Sequence, residues 1–373
     1  ATVQTVLASK TGDAASYLDP IDNFIKTGEY FIQHGGREKV YTGRAPYYGV
    51  VYFLFRLFFE KDLSSDLVVV LQILLESIAI IYISLLAEKI ILKKFAFEIV
   101  YILMLLSLNF TYWANYLITE SFSISFLIFF VCYYYQFMVV RKKSSLLLSG
   151  FFLSLVVLLK PIFGLLYIIL GITFLSEKPF NISFVFKKCF IVFVPCVLLV
   201  LPYTIRNYLR FGSFQPFSEY YGGYRYSKVQ IAYKEFVTAW GGMYAYGDNK
   251  TPVCYFYPNA DIHCEFKFPD YSFFKGYTMQ DIEKTRNIFD RYNKNPSPLL
   301  ADSAIGAFYH LTSLYKQYRP IRYYFIAPLM LVKDFLFHSG SYYLPIRKDF
   351  MCYQPYQFAI KLSQSFLYYF SLI

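Results

Sequence analysis

Residues 67–92 read LVVVLQILLESIAIIYISLLAEKIIL and are closed by Lys93 and Lys94. An apolar run of this length can cross the roughly 30 Å hydrocarbon layer of a bilayer as a helix, and paired lysines at its end carry orientation information. The same pattern recurs on moving outward. Phe95 to Trp113 and Leu117 to Val140 follow, the latter closed by Arg141, Lys142 and Lys143. Leu146 to Leu159 and Ile162 to Leu175 are shorter and separated by Lys160 and Pro161, which reads as two short spans meeting at a proline break. Phe184 to Leu201 comes next, with Lys187 and Lys188 near its start, and Tyr323 to Phe337 and Tyr356 to Ile373 resume the pattern late in the chain. Tyr47 to Phe59 is also apolar, but it is short and carries Arg56, so it is expected to lie along the membrane interface rather than cross.

Composition agrees. Hydrophobic residues make up 57% of the 373 positions and charged residues only 16%, too little polar surface for a water-soluble globule of this size. The formal charge of +11 does not indicate a nucleic-acid partner, because the basic residues fall in twos and threes at the ends of apolar runs. The expected fold is an all-α polytopic membrane protein. Its expected parts are an extracytoplasmic loop with interfacial helices (1–66), a helical membrane core (67–203), a small extracytoplasmic domain (204–320) and C-terminal membrane helices (321–373). The sequence opens on Ala1 rather than Met and stops inside FLYYFSLI, so we expect the chain to continue at both ends, with a membrane helix ahead of residue 1.

Helix parity orients these parts. Placing Lys93–Lys94, Arg141 to Lys143, Lys187–Lys188 and Arg347–Lys348 inside lets every intervening span alternate, with Arg319 and Arg322 as exceptions on the outer side. Residues 1–66, the turns at 114–116 and 160, and 204–320 then lie outside. The last of these is too long for a structureless loop. It holds Cys254 and Cys264, which parity exposes to an oxidising compartment, and we expect them to be bridged. The remaining cysteines fall in or beside apolar runs and read as small buried hydrophobes.

Ahead of the first crossing lies a polar run, TGDAASYLDPIDNFIKTGEYFIQHGGREKVYTGRAPYY, from Thr11 to Tyr48. Asp13 and Tyr17 would share one helix face, with Asp19, Pro20 and Asp22 just beyond. Simple solvation of an acidic loop gives the same composition. Four further ionisable residues, Arg44, Glu120, Lys160 and Arg206, fall at the ends of spans that parity aims at the same surface. Each alone could snorkel to the interface; together they suggest a polar cavity for an anionic head group.

Taken in order, GDAASYLDPIDNFIKTGEY, GRAPYYG, NYLITE, LLKP and PYTIRNYLRFGSF resemble the polytopic glycosyltransferases of the GT-C fold, most closely the branch of protein O-mannosyltransferases and the lipid A aminoarabinose transferase. The resemblance covers residues 11 to about 216. It implies transfer of a sugar from a polyprenyl-phosphate donor to a lipid, glycan or protein acceptor, with inverting attack on the anomeric carbon, at a site facing the periplasm or exterior. In a bacterium that membrane would be the inner one. Asp13 falls on the family's loop aspartate, which takes or orients the acceptor proton. Tyr17, Asp22, Arg44, Glu120, Lys160 and Arg206 are the substrate-binding candidates, the cations serving a leaving phosphate already stable as an anion.

Departures matter. The family often has a second acid beside the aspartate, and here those positions are Ala14 and Ala15, which puts a metal-binding acidic pair in doubt and leaves a divalent cation possible but unsupported. The family's proline pair is Ala45–Pro46, and the arginine usual before the later proline is Lys160. Two rival readings stay open: a transporter or flippase for a lipid-linked saccharide, and a non-catalytic membrane subunit that retains the fold within a larger complex.

Overall fold

The computed structural model describes residues 8, 12–33, 39–41, 44–107, 111–178, 180–212, 214–217, 228–242, 252–257, 264–274 and 276–336, with isolated positions 355, 359, 362 and 363. Among these residues the structure is helical, with isolated bridges at Ile32–Val40 and Phe274–Tyr277 in place of strands. It divides into two compact units, residues 1–225 with 340–373, and residues 226–339.

The first unit begins with α1 (Gly12–Thr27) and α2 (Gly49–Arg56). Gly28 ends α1 at a φ of 73°, a left-handed conformation that glycine adopts without a Cβ clash. At about 1.5 Å per residue, α2 is about 12 Å long and cannot span a bilayer. It is followed by α3 (Lys61–Ile91), α4 (Ala96–Leu106), α5 (Thr119–Val140), α6 (Lys143–Leu159), α7 (Leu165–Leu175) and α8 (Ile182–Phe211). Three of these, α3, α5 and α8, are long and apolar enough to cross a membrane. By contrast α4 covers about 16 Å of the expected 95–113 span, and Tyr112–Asn115 forms a separate 3-10 turn.

Termini of these helices follow local chemistry. The Asn181 side chain accepts from the Ser183 and Phe184 amides at 3.0 and 3.3 Å and caps α8. Between α6 and α7 the chain breaks at Lys160, whose φ of −142° and ψ of 92° are those imposed on a residue before proline, and Pro161–Gly164 forms a 3-10 turn. Packing is close where α6 meets α8: a Cβ on Gly150 would fall 2.7 Å from the Val192 main chain. Tyr48 and Tyr52 are fully buried against Val68, Val69 and Phe122, each such ring contributing about 1.5–3 kcal/mol on burial.

The second unit contains α9 (Lys228–Ala239), α10 (Pro252–Phe256), α11 (Met279–Lys294), α12 (Pro298–Tyr318) and α13 (Ala327–Leu336), the last preceded by a π-turn at Arg322–Ile326. Its core is aromatic, built on Tyr233, Phe236, Phe256, Phe289 and Phe308, whose rings meet mostly edge to face. A disulfide joins Cys254 to Cys264, with Cα atoms 5.4 Å apart. The unit starts later and ends later than the expected 204–320, because α8 continues to Phe211 and residues 322–336 belong with the aromatic unit. Most of the expected final span, Tyr356 to Ile373, and Arg347, Lys348 and Cys352 lie outside the described residues.

Candidate functional site

Asp13 sits in the first turn of α1; its side chain lies outside the described residues. Four other candidates form one chain of contacts. The Arg44 guanidinium lies 4.3 Å from the centre of the Tyr17 ring, and its Nε donates to Ser16 Oγ at 3.1 Å. Tyr17, packed against Tyr48 at 5.1 Å, places its hydroxyl 3.5 Å from Thr119 Oγ1. Thr119 in turn donates to Glu120 Oε2 at 3.2 Å, and Lys160 Nζ pairs with Glu120 Oε1 at 2.7 Å. The proline break accounts for the last contact, since an extended Lys160 leaves the helix and reaches the N-terminal turn of α5.

Arg206 joins this set through Tyr203, whose hydroxyl donates to the Arg44 carbonyl at 3.3 Å. Its own donors are spent within the protein: Nη1 on the Tyr41 carbonyl of the polar loop at 3.0 Å and on Asn207 Oδ1 of its own helix at 2.7 Å, and Nη2 on the Tyr30 carbonyl at 3.1 Å. Arg206 is therefore a strut that ties α8 to the loop between α1 and α2. Burial pushes the phenols of Tyr30 and Tyr47 up, keeping both neutral, and Tyr47 donates to the Pro216 carbonyl at 2.8 Å.

Asp22 is placed apart from the others. Its Oδ1 accepts from Tyr52 at 3.1 Å and Arg56 Nε at 3.3 Å, and its Oδ2 meets Lys61 Nζ at 2.6 Å, with the carboxylate side chain only 7% exposed. Burial alone would raise its pKa, but Lys61, Tyr52 and Arg56 together hold the carboxyl below the usual aspartate range. This cluster fastens α1 to α2 and to the start of α3. The sequence offers Asp22 to a substrate; in the structure its carboxylate is engaged by Tyr52 and Arg56 through hydrogen bonds and by Lys61 through an ion pair.

Between these elements lies an apolar cavity of about 640 Å³, bounded by Phe24, Val50, Phe122, Leu159 and Leu199, with Tyr203 and Arg206 on its wall. Leu159, the residue before Lys160, and Phe122, two positions after Glu120, line the cavity, while Glu120 and Lys160 themselves stand outside its lining. Among the described residues, no group of three or more His, Cys, Asp or Glu side chains could hold a metal ion.

The chain matches no protein-family model, no curated protein and no solved structure.

Reading by motif passed over residues that the geometry brings forward. Gln72, fully buried in α3, accepts from the Tyr48 hydroxyl at 2.9 Å and donates to the Ala114 and Tyr116 carbonyls at 2.8 and 3.0 Å, locking the turn ahead of α5. One turn on, Glu76 is 6% exposed in the middle of a helix apolar enough to cross a membrane. Polar letters inside an apolar run were the available signal for both.

Proposed function

We propose that this chain is a membrane glycosyltransferase that moves a sugar from a polyprenyl-phosphate donor to an acceptor at the extracytoplasmic face, in the manner of the GT-C enzymes its motifs resemble. The observation that carries the reading is the cavity of about 640 Å³, lined mainly by apolar side chains, with Arg206 on its wall and Leu159, the residue before Lys160, among its lining. An apolar space beside cationic side chains suits a hydrocarbon chain that ends in a phosphate. A lysine near the phosphate favours its departure without a general acid, because the leaving group is already a stable anion.

In this reading Asp13 takes the proton of the acceptor nucleophile as it attacks the anomeric carbon. The small aromatic unit, with its Cys254–Cys264 bridge, lies outside the membrane and shapes acceptor choice. Asp13→Asn should retain expression and donor binding while transfer falls by about 100-fold or more. Full transfer by that variant removes Asp13 from the mechanism.

A further inference from the structure

Arg206 and Lys160 offer their charge in different ways. Arg206 spends donors on two main-chain carbonyls and an asparagine, so presenting those donors to a ligand would require the loop from Tyr30 to Tyr41 to come away. Among the described residues Lys160 is held by a single carboxylate, both side chains are about one-third exposed (32% and 34%), and the residue before Lys160, Leu159, lines the apolar cavity. A pair this accessible is weakly held by solvent-screened attraction, and an incoming dianion or monoanion with full charge can compete for the ammonium.

We infer that Glu120 is a resident counter-ion that occupies the place of a lipid-borne phosphate on Lys160, and that ligand binding exchanges one anion for the other. This rests on the donor reading above and deepens it by naming the cation that receives the phosphate. On exchange the phosphate oxygens take over the Lys160 ammonium. Glu120 keeps the hydroxyl of Thr119, which itself lies within reach of Tyr17, so the released carboxylate is not left without a donor. No bond is made or broken in this step. Its consequence is selectivity: an uncharged lipid cannot displace the carboxylate, whereas an anionic head group can.

The test uses the full chain in detergent, with farnesyl monophosphate as the probe and farnesol as its uncharged match. Wild-type protein should bind the phosphate more tightly than the alcohol. Glu120→Gln should tighten farnesyl phosphate binding about tenfold by removing the competitor, and Lys160→Gln should weaken it about tenfold, with Lys160→Arg restoring it. The double variant should behave as Lys160→Gln alone, a coupling that a purely structural role of the pair does not produce. Glu120→Gln that weakens binding or leaves it unchanged overturns the exchange while sparing the donor reading. Equal wild-type affinity for phosphate and alcohol overturns both. Inorganic phosphate should compete only weakly; competition as effective as that of farnesyl phosphate overturns the lipid-borne source.

Discussion

Two carboxylates in the first unit are handled in opposite ways. Asp22 is 7% exposed on its side chain and is shared among a phenol, a guanidinium and an ammonium drawn from α2 and the start of α3. Glu120 is 34% exposed and holds one ammonium and one hydroxyl, at the junction of α5 with the proline break. A buried carboxylate engaged by three partners from neighbouring elements is a fastening, since losing any of them leaves a group that water cannot reach. A half-exposed pair contributes little to stability and can be opened by a ligand. The difference separates residues that hold the site from residues that can serve it, although both were acidic letters near the same surface in the sequence.

The sharpest way to break this comparison is stability. Asp22→Asn should destabilise the first unit by about 2–3 kcal/mol, because the charge-assisted bonds of Arg56 and Lys61 are lost together. Thermal unfolding in a fixed detergent measures it, and a change no larger than that of Glu120→Gln would erase the distinction. Acid sharpens the same point. The Asp22 carboxyl is held below its ordinary value in the folded chain, so its contribution is complete above the unfolded aspartate pKa of about 3.9 and is lost as pH falls through the lower folded value. A pH series of unfolding midpoints should show that loss in wild type and not in Asp22→Asn.

Intermediate effects belong to Arg206. Arg206→Gln should loosen the loop between α1 and α2, seen as faster amide exchange at residues 30–33 and 39–41, with a stability loss of about 1–2 kcal/mol for the bonds to the Tyr30 and Tyr41 carbonyls. Unchanged exchange there would show that the strut is redundant. The smallest stability change, about 1 kcal/mol or less, is expected for Glu120→Gln. That variant should act on ligand affinity instead.

Helix positions were legible because their signal is summed over many apolar residues, as in α3, and the break at Lys160–Pro161 because proline constrains its predecessor. Charge alone could not tell Asp22 from Glu120, since the distinction is made by Tyr52, Arg56 and Lys61, which are contributed from 30 or more positions along the chain. The sequence shows Arg206 only as a cation near the outer surface; its bonds to the Tyr30 and Tyr41 carbonyls are not legible there, because both lie on a loop whose path no motif records. Local pattern placed the cluster of Tyr17, Arg44, Glu120 and Lys160 near one surface; only tertiary contacts show that they touch in sequence from α1 to the break.

The proposed transfer of a sugar from a lipid phosphate would release free polyprenyl phosphate, which can be measured. Purified protein in vesicles would be given a panel of short-chain polyprenyl-phosphate monosaccharides together with membrane lipid, glycan and peptide acceptors. At least one donor should be consumed, with stoichiometric polyprenyl phosphate and a new glycoside of inverted configuration, and Asp13→Asn should lower both by about 100-fold or more. Movement of an intact lipid-linked saccharide across the vesicle membrane, with no donor consumed by any acceptor, would contradict it and establish the transporter in its place.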